Sequence, residues 1–191
     1  MTHTMQFRPM RPGLSIPRLD QYAGPLPEGW HWQPKLDDER GVIERYGPGA
    51  SIYNRHGRPI ASNKAHAFFE AAQELLNLFP DQDLFDVALL GFRGRTFPLG
   101  TIVLLDLPRV PKTWAGRRAT VTERTLCWDP WESGPPPDLV VNVLGLYLDR
   151  SGVYSYFAST QNLPGIEGLI GRDPAALYQQ GDSKAMCKIK W

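Results

Sequence analysis

Amines, guanidiniums and carboxylates recur in four short pieces of this chain: Lys35-Leu36-Asp37-Asp38-Glu39-Arg40-Gly41, Asn54-Arg55-His56-Gly57, Glu167-Gly168-Leu169-Ile170 and Lys188-Ile189-Lys190. A lysine amine has a reference pKa of about 10.4, so it becomes a nucleophile only where nearby cations or desolvation favour its neutral form. A planar guanidinium suits bidentate contact with phosphate better than an ammonium does. A carboxylate can hold a divalent ion against phosphate oxygens, and an amide such as Gln33 offers both a donor and an acceptor. Taken singly, each piece has an ordinary reading: a surface lysine at a strand end, a solvated turn arginine, a loop glutamate before an edge strand, a basic tail.

Taken together and in this order, the pieces resemble the adenylation core of ATP-dependent polynucleotide (DNA) ligases and their covalent nucleotidyltransferase relatives, which carry a Lys-x-Asp-Gly-x-Arg element. The resemblance spans roughly Trp32 to Lys190. It implies that Lys35 attacks the α-phosphate of ATP, expels pyrophosphate and becomes lysyl-AMP, with Lys188 and Lys190 lowering the proton affinity of the amine and neutralising the triphosphate. Arg40 would contact the nucleotide sugar and phosphate, and Arg55 the incoming 5′-phosphate. Glu167 would help hold Mg2+ or Mn2+. Gln33 stands where relatives read the adenine amino edge, Leu36 beside the nucleophile, and Leu105 where an aromatic often stacks on adenine. Arg172 stands in place of a closing lysine. Tyr178 and Gly181 precede the last lysines in an arrangement the family often shows. Thr101–Asp106 and the helix opening Lys112-Thr113-Trp114-Ala115-Gly116-Arg117-Arg118 lengthen the match as scaffold.

Some positions depart from the pattern. The middle strand reads Asp86-Val87-Ala88-Leu89 where relatives carry a glutamate, and a methyl group cannot accept a hydrogen bond. Asp38 replaces the motif glycine and sets a negative charge near the phosphates, which Arg40 and Lys188 would have to offset. The sequence ends at Trp191, so no C-terminal oligonucleotide-binding (OB) barrel is expected within it. The implied function is sealing or adenylating nucleic-acid 5′-phosphate ends, nicked DNA first. The alternatives are an RNA ligase or capping-type enzyme, or a catalytically degenerate subunit that binds nucleotide or nucleic-acid ends in a larger assembly, with a protein partner replacing the barrel.

The elements that must position these residues are legible in outline. Five prolines between Pro9 and Pro27 predict an extended N-terminal arm over residues 1–27, ahead of one domain over 28–191. Gly41–Arg45 and Ser51–Tyr53 read as strands around a Tyr46-Gly47-Pro48-Gly49 turn. Phe68, Ala72, Leu75, Leu76 and Phe79 recur at helical spacing, so Ser62 or Asn63 opens a helix that Pro80 closes off. Leu84–Leu90 and Thr101–Leu107 predict buried strands, Thr113 opens a second helix to about Leu126, and Leu139–Leu148 reads as a strand; in Val153–Asn162, Tyr154, Phe157 and Ala158 fit a helix face while Val153, Tyr154, Tyr156 and Phe157 fit a strand, with helix the preferred reading. The Trp128–Asp138 loop looks irregular, with Trp128 and Trp131 exposed for a partner. Strands and helices interleave without βαβ spacing, so the class is α+β with mainly antiparallel sheets flanked by helices, the nucleotidyltransferase fold that the resemblance implies.

With 21 Lys and Arg against 20 Asp and Glu, formal net charge is +1, so a nucleic-acid partner must be held by a local patch. Cys127, Cys187 and the four histidines show no zinc-ligand spacing, which predicts free thiols in a reducing compartment. No stretch approaches the roughly 20 apolar residues of a membrane span, so a cytoplasmic protein is the expectation.

Overall fold

Among the described residues eleven strands form two sheets, and the chain crosses between them several times. The computed structural model describes residues 5–92, 96–130 and 135–190. The first sheet contains β1 (Met10–Ile16), β2 (Trp30–Leu36), β9 (Leu146–Leu148), β10 (Ile166–Arg172) and β11 (Gly181–Lys190), in the order β1-β11-β10-β2-β9. The second contains β3 (Glu39–Tyr46), β4 (Gly49–Asn54), β5 (Leu84–Leu89), β6 (Ile102–Asp106), β7 (Leu126–Trp128) and β8 (Val140–Val143), in the order β4-β3-β5-β6-β8-β7. Most neighbouring pairs are antiparallel; β1 with β11, β6 with β8 and β7 with β8 are parallel. This is the expected α+β class.

The helices follow their apolar spacing. Phe68, Ala72, Leu75, Leu76 and Phe79 are all buried under the second sheet. The single helix expected there is divided into α1 (Ser62–Ala65), a 3₁₀ turn at His66–Phe68 and α2 (Phe69–Leu78). The Thr113 hydroxyl accepts from the Gly116 N–H and caps α3 (Trp114–Arg124), while the Asp149 carboxylate accepts from the Gly152 N–H at 2.7 Å and caps α4 (Arg150–Thr160). Each satisfies an amide that a helix start leaves unpaired. Arg117 and Arg118 of α3 are buried as scaffold, Arg117 on Asp106 and Arg118 on Asn142 and the Val143 carbonyl.

Long-range pairing changes three expectations. The segment read as an arm is extended, but Met10–Ile16 is strand β1, and Met10, Ile16, Leu19 and Leu26 are buried. The strand expected over Leu139–Leu148 is two strands in different sheets, broken at Leu144-Gly145. Gly145 passes so close to β2 that a Cβ there would overlap the His31 ring. Trp128, read as exposed, is 5% exposed and meets Phe97 edge to face at 5.4 Å, whereas Trp131 lies outside the described residues.

Leu36, Ala88, Val103, Val141, Val143 and Ile166 come from both sheets and pack into one apolar cluster. That cluster joins the sheets beneath the cleft described next. No helix among the described residues is long and apolar enough to cross a membrane.

Candidate active site

A cleft of about 490 Å³ opens between the sheets, and every residue singled out above as a candidate lines it: Gln33, Lys35, Leu36, Arg40, Arg55, Leu105, Glu167, Arg172, Lys188 and Lys190. Its centre is built by three adjacent strands. Lys35 of β2 and Lys190 of β11 both stand opposite Gly168 of the intervening β10. The register slips between Ile166 and Gly168, and such a bulge re-aims a side chain. Here it turns the Glu167 carboxylate into the cleft, where Oε1 accepts from Lys35 Nζ and Oε2 from Lys190 Nζ at 2.8 Å. Gly168 permits this with φ +148°, since a Cβ would overlap the Ile189 carbonyl oxygen. Side chains two apart on a strand share a face, so Lys188 joins Lys190, and Gln33 joins Lys35.

The guanidiniums differ in how they are held. Arg40 donates Nε to Asp86 Oδ1 at 2.8 Å and Nη2 to Oδ2, with the carboxylate fully buried. Burial opposes the Arg40 charge, but Asp86 outweighs it and holds the guanidinium above its usual range. Tyr178 also donates to Asp86 Oδ2, at 2.9 Å, and accepts from the Met10 N–H at 2.9 Å. A backbone amide of β1 is thereby linked to Arg40 through two side chains. Arg172 sits 4.4 Å over the Trp114 ring and donates Nη1 to Asp106 Oδ2 at 3.3 Å, a carboxylate it shares with Arg117. Burial lowers its pKa. Arg55 is exposed at the Asn54–Gly57 turn, where Asn54 Oδ1 accepts from the His56 and Arg58 amides.

Gln33 donates Nε2 to the Val143 carbonyl at 2.9 Å, so its amide is oriented by a second-sheet strand. Leu105 and Ala88 present only apolar atoms to the cleft. Asp38, whose charge is expected to need Arg40 and Lys188 as offsets, accepts from the Glu39 amide at 2.8 Å and the Gly91 amide at 2.6 Å. These contacts hold its carboxylate at the cleft edge.

Seven Lys and Arg side chains line the cleft against three carboxylates, Asp38, Glu167 and Asp182. A nearly neutral protein therefore concentrates positive charge in one groove, an arrangement that attracts polyanions. Among the described residues no group of three or more His, Cys, Asp or Glu could hold a metal ion. Lining residues not anticipated from sequence include Pro9, Arg11, Pro12 and Asp182, brought in by the β1–β11 pairing. Nothing local in the sequence signals them.

No family model matches the chain, and no curated protein matches it by sequence. Solved structures do match its fold. The chain is similar to a Lig E DNA ligase (TM-score 0.59, 15% identity, covering 93% of this chain and 67% of that one). It is also similar to the ligase domain of M. tuberculosis LigD (TM-score 0.62, 16% identity, 96% and 59%). The ATP complex of the bacteriophage T7 ATP-dependent DNA ligase matches at TM-score 0.59 and 15% identity, with 97% and 69% covered. The chain thus has the fold of ATP-dependent DNA ligase catalytic domains and spans 59% to 69% of the length of these three structures.

Proposed function

We propose that this chain is an ATP-dependent, ligase-like nucleotidyltransferase core in which Lys35 carries the adenylyl group. The observation that supports this most is the Glu167 carboxylate bridging Lys35 and Lys190 inside a cationic cleft that also contains Lys188 and Arg40. ATP fits that donor set: a polyphosphate meets excess cations, and the Gln33 amide stands two residues from the nucleophile. In the first step a bond forms from Lys35 Nζ to the α-phosphorus, the bond to the bridging oxygen of the β-phosphate breaks, and pyrophosphate leaves with the electron pair. The amine reacts in its neutral form and its surplus proton passes to solvent, while Glu167 Oε1, hydrogen-bonded to that amine, orients it. Lys188 and Lys190 offset the charge developing on the phosphates. Arg55, at the tip of an exposed turn, would then receive the 5′-phosphate of a nucleic-acid end, nicked DNA in the leading reading. Mg2+ or Mn2+ would be held by Glu167 and the phosphate oxygens and would neutralise charge there.

A second reading has an observation of its own. Ala88 faces the cleft where relatives carry a carboxylate, which favours a module that binds nucleotide or nucleic-acid ends without reacting. Incubation with α-labelled ATP and Mg2+, followed by denaturing electrophoresis and intact mass, separates the two. A covalent AMP adduct on the wild type that disappears in Lys35→Ala is the expected result. ATP binding with no adduct would establish the module instead. Nicked DNA and nicked RNA as acceptors then distinguish a DNA ligase from an RNA ligase or capping-type enzyme.

A further inference from the structure

We infer that the N-terminal strand completes the cleft with a phosphate-binding residue of its own, Arg11; this rests on the reading of the cleft as a site for phosphorylated ligands. Arg11 lies outside all four motif pieces, yet its side chain lines the same cleft as Lys35, Arg40, Arg55 and Lys188. The backbone beneath it is firmly held. Met10 and Ile16 are each 1% exposed, and the Met10 amide is tied to Tyr178. Pro12 fixes its own φ, and Gly13 lets β1 approach β11 so closely that a Cβ would lie 2.6 Å from the Ser183 carbonyl oxygen. A side chain presented from so constrained a strand loses less freedom on binding than one on a loose arm.

The partner of Arg11 in the structure is weak competition for a phosphate. Nε meets Asp182 Oδ1 at 3.2 Å, but the two side chains are 56% and 69% exposed, and exposed ion pairs of this kind contribute little. A phosphate group has more charge than a carboxylate, and its geometry matches the guanidinium fork. Asp182 lines the same cleft, so its charge opposes any anion that Arg11 would hold. The ligand is therefore a phosphate, from either the polyphosphate tail of a nucleotide or the 5′-phosphate of a nucleic-acid end.

The opposite charges of the pair provide the test. Arg11→Ala, Arg11→Lys and Asp182→Ala are made in the full chain, with thermal melting as a folding control. Binding of inorganic pyrophosphate, ATP and AMP is measured by calorimetry, and binding of nicked DNA with a 5′-phosphate or a 5′-hydroxyl by fluorescence anisotropy. Arg11→Ala is expected to weaken the phosphate ligand it serves roughly fivefold to thirtyfold, the scale of one charge-assisted contact. Arg11→Lys should lie between, and Asp182→Ala should tighten binding about twofold to fivefold. Loss with pyrophosphate and ATP but not AMP assigns the nucleotide tail; loss of the preference for a 5′-phosphate assigns the nucleic-acid end. If the pair only clips β1 to β11, both alanine variants weaken binding alike, and the inference fails. It fails equally if Arg11→Ala leaves every probe within twofold while the wild type binds normally. A wild type that binds none of the probes overturns the nucleotide reading itself and this inference with it.

Discussion

At the scale of single residues, what separates this site from a generic basic surface is that two of its guanidiniums are individually anchored. Arg40 and Arg172 each rest on a buried aspartate, Asp86 and Asp106, so their positions are set before any ligand arrives. Behind them lies His31, 5% exposed, whose pKa is lowered to about 4 by burial and by the nearby Arg118 and Arg172 charges. Its pKa in the unfolded chain is near 6.5, so between about pH 6.5 and about 4 the unfolded state binds a proton that the folded state does not. Stability must therefore fall as pH is lowered through that window, by up to roughly 3 kcal/mol from this group at about 1.4 kcal/mol per unit. His31→Gln should remove that part of the slope, measured by denaturant unfolding at several pH values. An unchanged slope would mean that His31 is not held neutral.

At the scale of elements, the bulge in β10 decides which side chains share the Glu167 carboxylate. A regular strand would alternate Glu167 away from the face that Lys35 and Lys190 share, so the Glu-Gly pair does what neither residue could do alone. Gly168→Ala should cost roughly 2–4 kcal/mol, because a methyl group meets backbone rather than a movable side chain, and should also abolish adduct formation. Gly29 is the control: its φ is +68° with nothing within 4 Å of a Cβ, so Gly29→Ala should cost only about 1–2 kcal/mol and leave the adduct intact. Equal losses of stability and adduct in the two variants would show that the bulge is not what aims Glu167. The strand β1 matters for a similar reason, because its amide reaches Arg40 through Tyr178 and Asp86.

At the scale of the whole molecule, a formal net charge of +1 coexists with a groove carrying seven cations and three carboxylates. Nucleic-acid binding should then be local and strongly dependent on salt. If three or four phosphates are neutralised, the logarithm of the affinity should fall against the logarithm of salt concentration with a slope of about −2.7 to −3.6. Anisotropy titrations with nicked DNA measure this directly, and a slope near zero would rule out the cleft as the phosphate-contacting surface.

The residues that line the cleft were legible in the sequence because each motif piece is local: a few consecutive residues carry both the charged group and the glycine or turn that presents it. The helices were legible for the same reason, since apolar spacing and capping residues act within one or two turns. What the fold alone decided depends on residues far apart in the chain. Only the β2, β10 and β11 pairing brings Lys35 and Lys190 onto the Glu167 carboxylate, and only the β1–β11 pairing adds Arg11. The division of Leu139–Leu148 between two sheets and the burial of Trp128 were equally out of reach, because an apolar run specifies that it will be covered but not by which sheet.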